Sequence, residues 1–512
     1  MGSATTSKMS AMPEGYSVPR SQYHGDPGHC ASRSGQGTMR VRPDHGRPLL
    51  GRIRDFLDYF AHSTPARFAI LIFAALVLTL TTILMLPGMT STGDTAPFAD
   101  ALFTAVSAIC VTGLATVDMA TYWTPLGHAF IALGVQIGGI GVLTLASIMG
   151  LIVSRRLGLK ARLMAASDSN PLRIHHGPVA EGQAVKLGEI GTLLLTVAIS
   201  ALVIELSIAA LLFPRILLEG IPVGQAALDS FYYSLMAFTN TGFVFSEAGF
   251  ELYHQDYWFL SLLMIGVFLG SIGFPVIYAV YRGWRKPRRF SVHVKLTLWT
   301  SLILIVLGTL AYVVLEWDNT KTFALMDPVQ HGFQALFLSV MTRSGGFSTL
   351  DMADFGNASL LVTDMLMFIG GGSASTAGGI KVTTLAILFL AAFAEARGSE
   401  SMEVFERRIP SDVLRLAVSI VLWGATTVAL SSIVLLQISG ERLDYVLFDA
   451  ISAFATSGLS TGFTAEASDP AKYVLAATMF LGRVGTVTLA AALAASTRRQ
   501  LFQRSEERPI VG

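Results

Sequence analysis

Residues 107–114 read SAICVTGL, and this arrangement of small or hydroxyl-bearing residues, a glycine and a following Leu or Phe occurs three more times. The other copies are MAFTNTGF at 236–243, VMTRSGGF at 340–347 and SAFATSGL at 452–459. Successive copies lie roughly 100–130 residues apart, a period that fits a whole helix–loop–helix unit rather than a solenoid repeat. The repetition predicts four similar units in one chain. An alternative stays open here, because small residues also let helices pack closely.

The composition is that of a membrane protein. The 512 residues are 52% hydrophobic and 14% charged, with a formal net charge of +1, whereas soluble domains contain roughly 25% charged residues. A net charge this small gives no general attraction for nucleic acid, so no nucleic-acid partner is expected. Cys30 lies in a polar tail and Cys110 in an apolar segment. Two cysteines in such different settings exclude a disulfide framework.

Apolar stretches and short glycine-ended segments alternate along the chain. Crossing a bilayer takes about 20 residues, and eight stretches qualify: 67–88, 126–153, 189–213, 257–281, 295–316, 361–395, 412–437 and 472–496. Within each successive pair lies a segment too short to span, at 97–111, 226–240, 330–343 and 445–456. The sequence therefore predicts an all-α membrane protein with eight transmembrane helices and four re-entrant pore helices. These would form four pseudo-repeated helix–pore helix–filter–helix units around one central pore.

The predicted domain boundaries follow from this pattern. Residues 51–512 are expected to form the membrane pore domain, with repeats at about 67–155, 187–283, 293–397 and 411–498 and a C-terminal tail at 499–512. Residues 1–50 are rich in Gly, Ser, Pro, His and Arg and cannot bury a core. We expect them to form a disordered cytoplasmic tail.

Charged residues divide the connecting loops into two sets. One set is basic and includes both chain ends: Arg52, Arg54, Arg155, Arg156, Lys160, Arg162, Arg173, Arg282, Arg285, Lys286, Arg288, Arg289, Arg397, Arg407, Arg408, Arg498 and Arg499. The other set carries mostly acids, from Asp94 and Asp100 through Glu466 and Asp469. By the positive-inside rule the basic set and both termini are cytoplasmic. The short glycine-ended segments therefore enter the membrane from outside.

Four segments of this kind can form a cation site. Irregular backbone at membrane depth must be buried in protein or face a water-filled cavity. The C-terminal end of each short helix carries partial negative charge, and backbone carbonyls can replace the hydration shell of a potassium ion. Glycine permits the backbone conformation that such a turn needs. We expect a cation at the backbone carbonyls of these filter residues: Cys110, Val111, Thr112, Gly113, Thr239, Asn240, Thr241, Gly242, Arg343, Ser344, Gly345, Gly346, Ala455, Thr456, Ser457 and Gly458.

The stretch IGGGSASTAGGIKVTT at 369–384 interrupts a segment, 361–395, that otherwise has the pattern of one long transmembrane helix. Each glycine in a helix costs about 1 kcal/mol relative to alanine, so this stretch can shift at low energetic cost. We expect an irregular intramembrane loop that can move, formed by Gly370, Gly371, Gly372, Ser373, Ala374, Ser375, Thr376, Ala377, Gly378, Gly379 and Lys381. A kinked helix without a moving part is the alternative.

Several polar residues lie within the predicted spans. Arg483 is well inside the eighth span, where an arginine is costly and usually has a partner or a function; snorkelling to the interface is the alternative. Arg343 is expected to brace the third turn by bonding local carbonyls or an acid. Glu205 is interpreted as a structural hydrogen-bonding group rather than an ion ligand. His128 and Asp364 are expected to face water.

Five stretches resemble the Trk/Ktr/HKT superfamily of potassium transporters: QIGGIG at 136–141, GSIGFPV at 270–276, MTRSGGFS at 341–348, GGGSASTAGGIK at 370–381 and FLGRVGTVTLA at 480–490. The likeness runs from about 67 to 512 and is closest to the ion-conducting Ktr membrane subunit (KtrB type). Residues 1–50 lack the two additional N-terminal spans of the Trk type.

This resemblance implies a potassium-selective filter whose glycines are Gly113, Gly242, Gly346 and Gly458. It also implies that the glycine-rich loop is a gate that obstructs the pore below the filter. Arg483 would belong to this gate and lie beside the pore under the filter, where it can touch the loop or repel ions. The chain departs from the family at Gly345, where alanine is more frequent.

The resemblance also implies partners. It implies a homodimer in the bacterial inner membrane, held in part by the C-terminal ending ERPIVG. A cytosolic ring of nucleotide-binding subunits (KtrA type) would dock around 155–187, 282–294 and 397–411. The chain itself is expected to bind no cofactor: K+ is the transported ion, Na+ is considered as an activator, and ATP or ADP would act only through the partner.

Enzyme signatures are missing from the sequence. It contains no Walker A sequence, no HExxH, no GxSxG and no Cys/His cluster, and no GxGxxG follows a predicted strand. The sequence therefore predicts a protein that is not an enzyme. The remaining alternative is a secondary active cation transporter with broken helices at a midplane site, a class that usually has paired repeats of opposite topology. The four units here share one topology.

Overall fold

The computed structural model describes residues 65–141, 187–246, 249–373, 375–399 and 401–485. Several sequence predictions lie outside these residues: the tails at 1–50 and 499–512, the loop around 155–187 up to its last residue, the later parts of the second and eighth spans, and Ala374.

Helices make up nearly all of the regular structure in these ranges. They are α1 (Pro65–Leu84), α2 (Phe98–Cys110), α3 (Pro125–Ile140), α4 (Leu187–Leu217), α5 (Val223–Thr239), α6 (Tyr257–Ile272), α7 (Phe274–Gly283), α8 (Val292–Leu315), α9 (Pro328–Met341), α10 (Asn357–Phe368), α11 (Val382–Ala396), α12 (Ser411–Ser439), α13 (Leu443–Ala455) and α14 (Asp469–Phe480). A π-helical turn, Leu481–Gly485, follows α14. One short hairpin pairs β1 (Met402–Val404) with β2 (Arg407–Ile409) in antiparallel register.

Three described helices are long and apolar enough to cross a membrane: Leu195–Leu217 within α4, Val292–Leu315, and Val413–Ser439 within α12. The pair α6 and α7 qualifies as a fourth if it is counted as one broken span. Leucines and other large apolar residues remain exposed along these helices. An apolar exterior of this kind is the surface that a bilayer covers.

Helix packing follows a closed circuit. Within the described residues, each long helix α1, α4, α8 and α12 packs on the short helix that follows it: α2, α5, α9 and α13. Between neighbours, α3 packs on α5, α6 on α9, α10 on α13, and finally α14 on α2. The last of these contacts brings the C-terminal part of the chain back to the N-terminal part.

The predicted span 257–281 is not one straight helix. α6 and α7 meet at a bend of 102°, at Gly273, whose φ is +84°. A residue with a Cβ rarely adopts this conformation, so glycine allows the sharp turn. The two halves of the predicted span therefore run in different directions.

The predicted sixth span is also interrupted. α10 ends at Phe368 and α11 begins at Val382, and the described residues between them, 369–373 and 375–381, form an irregular loop with a bridge between Ile369 and Ile380. The backbone therefore breaks over residues 369–381 rather than continuing as a kinked helix.

Candidate functional site

The four short helices α2, α5, α9 and α13 end in turns of similar backbone conformation. In each turn the residue two positions before the glycine has a left-handed φ: +58° at Val111, +64° at Asn240, +86° at Ser344 and +49° at Thr456. The glycines themselves have φ of +88° at Gly113, +82° at Gly242, +73° at Gly346 and +89° at Gly458. β-branched residues such as Val111 and Thr456 rarely adopt positive φ, and strain of this kind is typical of functional sites.

The third turn differs in its first residues. α2, α5 and α13 end directly in a left-handed cap residue, whereas the cap of α9, Thr342, is still right-handed. The left-handed residue follows two positions later, at Ser344. The left-handed residue of the third turn therefore stands two positions before its glycine, Gly346, as in the other three turns, although α9 ends two residues earlier relative to that glycine.

The four glycines lie next to one another. A Cβ placed on Gly242 would be 2.6 Å from the Cα of Gly346, and one on Gly458 would be 3.1 Å from the same Cα. A Cβ on Gly113 would be 3.5 Å from the Cα of Gly458 and would overlap the carbonyl of Thr241. The glycines are only partly buried, while the residues before them are buried. Glycine is therefore required at all four positions by close approach as well as by φ.

Backbone carbonyls point into this cluster of glycines. The carbonyl oxygen of each residue that precedes a glycine lies close to a neighbouring turn: Thr112 near Gly458, Thr241 near Gly113, Gly346 and Gly458, Gly345 near Gly242, and Ser457 near Gly346. The corresponding distances from an added Cβ include 2.5 Å to the Thr112 oxygen and 3.0 Å to the Ser457 oxygen. The structure thus brings four carbonyls from four distant parts of the sequence to one place.

The third and fourth turns are joined by a reciprocal pair of hydroxyl bonds. Ser344 Oγ donates to the Thr456 carbonyl at 2.8 Å, and Ser457 Oγ donates to the Thr342 carbonyl at 3.2 Å. All four residues are buried. Sequence reasoning did not identify this pairing, because the partners are more than a hundred positions apart.

The second turn is held by an amide. Asn240 Nδ2 donates to the Val267 carbonyl of α6 at 3.2 Å, and Asn240 Oδ1 accepts a 2.9 Å bond from Thr376 Oγ1. Thr376 belongs to the irregular loop and also donates to the Phe238 carbonyl at 3.2 Å. One side chain thus connects the second turn both to its own second helix and to the loop.

Arg343 points away from the glycines. Its guanidinium donates to the carbonyl of Ser301 at 2.8 Å and to the Ser301 hydroxyl at 3.1 Å. Ser301 lies on α8, so Arg343 bonds a carbonyl as expected, but one on another helix rather than beside the turn, and it has no acidic partner among the described residues. The arginine anchors the start of the third turn to the long helix of its own unit.

The loop 369–381 packs directly against the turns. Its backbone bonds the end of α6, with Gly372 N donating to the Ser271 carbonyl at 2.7 Å and Thr376 N to the Gly270 carbonyl at 3.3 Å. On the other side, a Cβ on Gly378 would lie 2.8 Å from the Ala455 carbonyl, at the end of α13. The loop therefore touches the second and fourth turns and has no room for side chains at its glycines.

Both charged candidates bond carbonyls of this loop, Arg483 from outside it and Lys381 from within it. Arg483, buried in the π-helical turn, donates from Nη1 to the Thr376 carbonyl at 2.5 Å and from Nη2 to the Gly138 carbonyl of α3 at 3.1 Å. Lys381 Nζ donates to the Ala377 carbonyl at 2.7 Å. Burial and these bonds rule out a snorkelling Arg483, because its charge is directed into the protein.

Two carboxylates that the sequence analysis did not choose as site residues bond the chain just after the first and fourth glycines. Asp449, fully buried in α13, accepts bonds from backbone and hydroxyl groups of Thr461 and Thr464 and from Ser460 Oγ. Asp100 on α2 accepts bonds from Thr116 Oγ1 at 2.8 Å and Lys472 Nζ at 2.7 Å. An acidic residue inside a short apolar segment could have pointed to both sites in the sequence. A buried carboxylate needs hydrogen-bond donors or a cation around it.

Of the other polar residues in the predicted spans, Glu205 has the environment that the sequence predicts, whereas His128 and Asp364 do not. Glu205 is buried and bonds Gln136 Nε2 at 3.2 Å, as a structural group would. His128 and Asp364 were expected to face water but are 8% and 7% exposed. His128 instead stacks on Phe245 with ring centroids 4.6 Å apart and bonds the Met119 carbonyl.

These features define a class of protein: a helical membrane protein in which four short helices deliver backbone carbonyls to one shared, partly exposed point. The chain belongs to the TrkH family of cation transport proteins, whose family model matches residues 57–500.

Known relatives span nearly the whole matched region. The Ktr system potassium uptake protein B of Vibrio alginolyticus is 33% identical over 434 residues, covering 84% of this chain and 91% of that protein. The Ktr system potassium uptake protein D of Bacillus subtilis is 32% identical over 453 residues, covering 88% and 97%. The crystal structure of the potassium transporter TrkH from Vibrio parahaemolyticus matches with a TM-score of 0.62 at 18% identity, over 82% of this chain and 83% of that one. At that identity the structural likeness establishes the fold alone.

Proposed function

We propose that this protein is the ion-conducting subunit of a potassium uptake system. In this proposal K+ enters from outside, loses its water to backbone carbonyls of the four glycine turns and moves inward down the membrane potential. The observation that carries the proposal is that four carbonyls from four separate turns approach the same cluster of glycines. Carbonyl groups in such a ring can substitute for the hydration shell of K+. Two relatives at 32–33% identity are named as potassium uptake proteins.

The proposed architecture has eight membrane spans and four re-entrant pore helices around one pore. Its support is the packing circuit, in which each unit touches the next and the last touches the first. Each short helix ends at the shared point, so its partial negative charge would add to that of the carbonyls. In this proposal both termini lie in the cytoplasm of a bacterial cell and the short helices enter from the outer side, an orientation that the basic loops support through the positive-inside rule.

The loop 369–381 is proposed as the gate below the filter. Its contacts with the second and fourth turns favour a position across the pathway, and its glycines lower the cost of movement. Arg483 would hold the closed position through the Thr376 carbonyl, and its positive charge, together with Lys381, would oppose cation passage. Opening would require at least the Arg483 and Asn240 bonds to break.

Partners complete the proposed system. Two relatives are named as components of Ktr systems, which supports a membrane subunit that works with other components. We place a homodimer of this chain on a cytosolic nucleotide-binding ring of the KtrA type, through which ATP or ADP would act. Whether Na+ activates transport is to be tested in the same assay.

A secondary active transporter is the competing function. The bend at Gly273 and the break between α10 and α11 are the observations in its favour, because broken helices line midplane sites in that class. The packing circuit favours the pore, since all four units repeat the same order of contacts.

The deciding experiment is potassium uptake in a bacterium that lacks its own uptake systems. Cells carrying the full chain should grow at low K+, and Gly113→Ser should weaken discrimination against Na+ because a side chain would collide with the Thr241 carbonyl. Gly93→Ser is the matched control: Gly93 also has positive φ, at +79°, but has open space around it. If Gly113→Ser keeps the wild-type ratio of K+ to Na+ uptake, the filter assignment fails.

A further inference from the structure

The helix α7 and the residues after it form an exposed surface of aromatic and basic side chains. Tyr278, Tyr281 and Trp284 are 54%, 82% and 67% exposed. Five basic residues, Arg282, Arg285, Lys286, Arg288 and Arg289, are exposed within the same short stretch. We name residues 278–289 the α7 patch. We propose that the α7 patch binds the phosphate headgroups of anionic phospholipids in the cytoplasmic leaflet.

The membrane orientation proposed above puts this patch at the edge of the apolar layer. α6 is strongly apolar along its whole length, and the chain turns by 102° at its end. A helix that leaves a membrane span at nearly a right angle lies along the membrane plane rather than extending into the cytosol. Amphipathic helices in that position bury one face in the headgroup region.

One face of α7 is fixed by the protein. Val276 is buried against Ile272 and Val294, and Phe290 packs beside the same cluster. A Cβ on Gly283 would lie 2.9 Å from the Phe290 ring, so the end of α7 and the chain after it are in close contact. The opposite face, with its tyrosines and tryptophan, is thereby held outward.

The charge of the patch is not matched by acidic side chains nearby in the sequence or by ion pairs in the part of the chain that the structure describes. The sequence contains no acid between Asp256 and Glu316, and none of the five bases is in an ion pair among the described residues. Two of them contact aromatic side chains: Arg282 Nη1 bonds Tyr278 Oη at 3.3 Å, and the Arg285 guanidinium lies 5.2 Å from the Trp284 ring. Unpaired bases beside interfacial aromatic residues fit a negatively charged lipid surface.

A soluble protein partner is the competing occupant, because the family resemblance implies that a cytosolic ring docks around 282–294, a stretch that overlaps the α7 patch. Exposed tyrosine and tryptophan directly after a membrane span favour lipid, since these residues accumulate where hydrocarbon meets headgroups. The inference requires the membrane orientation proposed above but not the ion selectivity.

The test measures the thermal unfolding of the purified full-length protein in neutral detergent. Phosphatidylglycerol, phosphatidylcholine or inorganic phosphate is titrated in. For the wild type we expect a rise in the unfolding midpoint with phosphatidylglycerol only. The variant Arg285→Gln/Lys286→Gln/Arg288→Gln/Arg289→Gln should lose most of that rise, with affinity reduced about tenfold or more. The control Arg397→Gln/Arg407→Gln/Arg408→Gln removes exposed bases elsewhere and should keep it.

A second variant separates lipid binding from membrane topology, which loss of bases could disturb. Tyr281→Ala/Trp284→Ala retains every charge and should also weaken the phosphatidylglycerol effect. An equal response to inorganic phosphate would overturn the proposal, as would an unchanged response in the four-residue variant. Loss of binding to a cytosolic partner with intact lipid response would assign the patch to protein docking instead. Potassium uptake by wild-type cells is scored separately, so failure of the proposed function is distinguishable.

Discussion

Ser344 in the third turn donates its hydroxyl hydrogen to the carbonyl of Thr456 in the fourth turn at 2.8 Å. Ser457 returns a 3.2 Å bond to the Thr342 carbonyl. Turns from different units are thus tied by side chains at the point where their glycines meet. The first turn has no such bond from its equivalent residue, because Val111 is apolar.

The first prediction concerns this serine pair. Ser344→Ala and Ser457→Ala should each lower stability by about 1 kcal/mol, the typical net value of one hydrogen bond. Because the two bonds hold the same pair of turns, we expect their combined effect on K+ over Na+ uptake to be non-additive. The measurement is competitive uptake by both single variants and the double variant.

A nearby hydroxyl provides the control for the serine pair. Ser452 Oγ is buried on α13 without a hydrogen-bond partner among the described residues. Ser452→Ala should leave the uptake ratio unchanged, and Ser457→Thr, which keeps the hydroxyl, should retain selectivity. Wild-type discrimination in the Ser344/Ser457 double variant would show that the pair has no role in it.

The second prediction concerns the hold of Arg483 on the loop. Arg483→Ala removes the bonds to the Thr376 and Gly138 carbonyls together with a buried positive charge. We expect faster K+ uptake that depends less on the proposed nucleotide-binding partner, because the closed position of the loop would be less stable. Arg483→Lys retains the charge but not the two-pronged contact and should be intermediate. Equal, wild-type uptake in both variants would contradict a gating role.

The third prediction tests coupling between the loop and the second turn. Thr376→Val removes the hydroxyl that bonds Asn240 Oδ1 and the Phe238 carbonyl. In a double-mutant cycle with Asn240→Ala, we expect an interaction energy of about 0.5–3 kcal/mol in thermal unfolding. The comparison variant is Ser375→Ala, whose hydroxyl bonds only Gly372 within the loop. Simple additivity of the Thr376 and Asn240 changes would refute the coupling.

The fourth prediction concerns the ion pair that joins the last unit to the first. Lys472 and Asp100 are 2.7 Å apart, with side chains 13% and 12% exposed. Lys472→Met leaves a largely buried carboxylate without its charge partner, at a cost of about 3 kcal/mol. The exposed pair of Arg442 and Asp444 serves as the control, and Arg442→Met should cost less than about 1 kcal/mol. Similar unfolding midpoints for both variants would show that the Lys472 pair does not close the circuit.

The local sequence determines where the short helices and the helix break lie. Apolar run length and glycine position depend on neighbouring residues, so the short helices α2, α5, α9 and α13 lie within a few residues of the stretches that the sequence singled out. The break at 369–381 was also visible, because several glycines close together cannot sustain a helix. The local sequence did not indicate which residues each turn would contact.

The tertiary structure decided the partners. Arg343 bonds Ser301 on another helix, Asp449 collects its donors from a later loop, and the Ser344 bond joins residues far apart in the chain. No period or motif records such pairs, because side-chain bonds between distant segments exist only after the helices have packed. The local sequence therefore determined where the backbone turns, and packing determined which groups meet there.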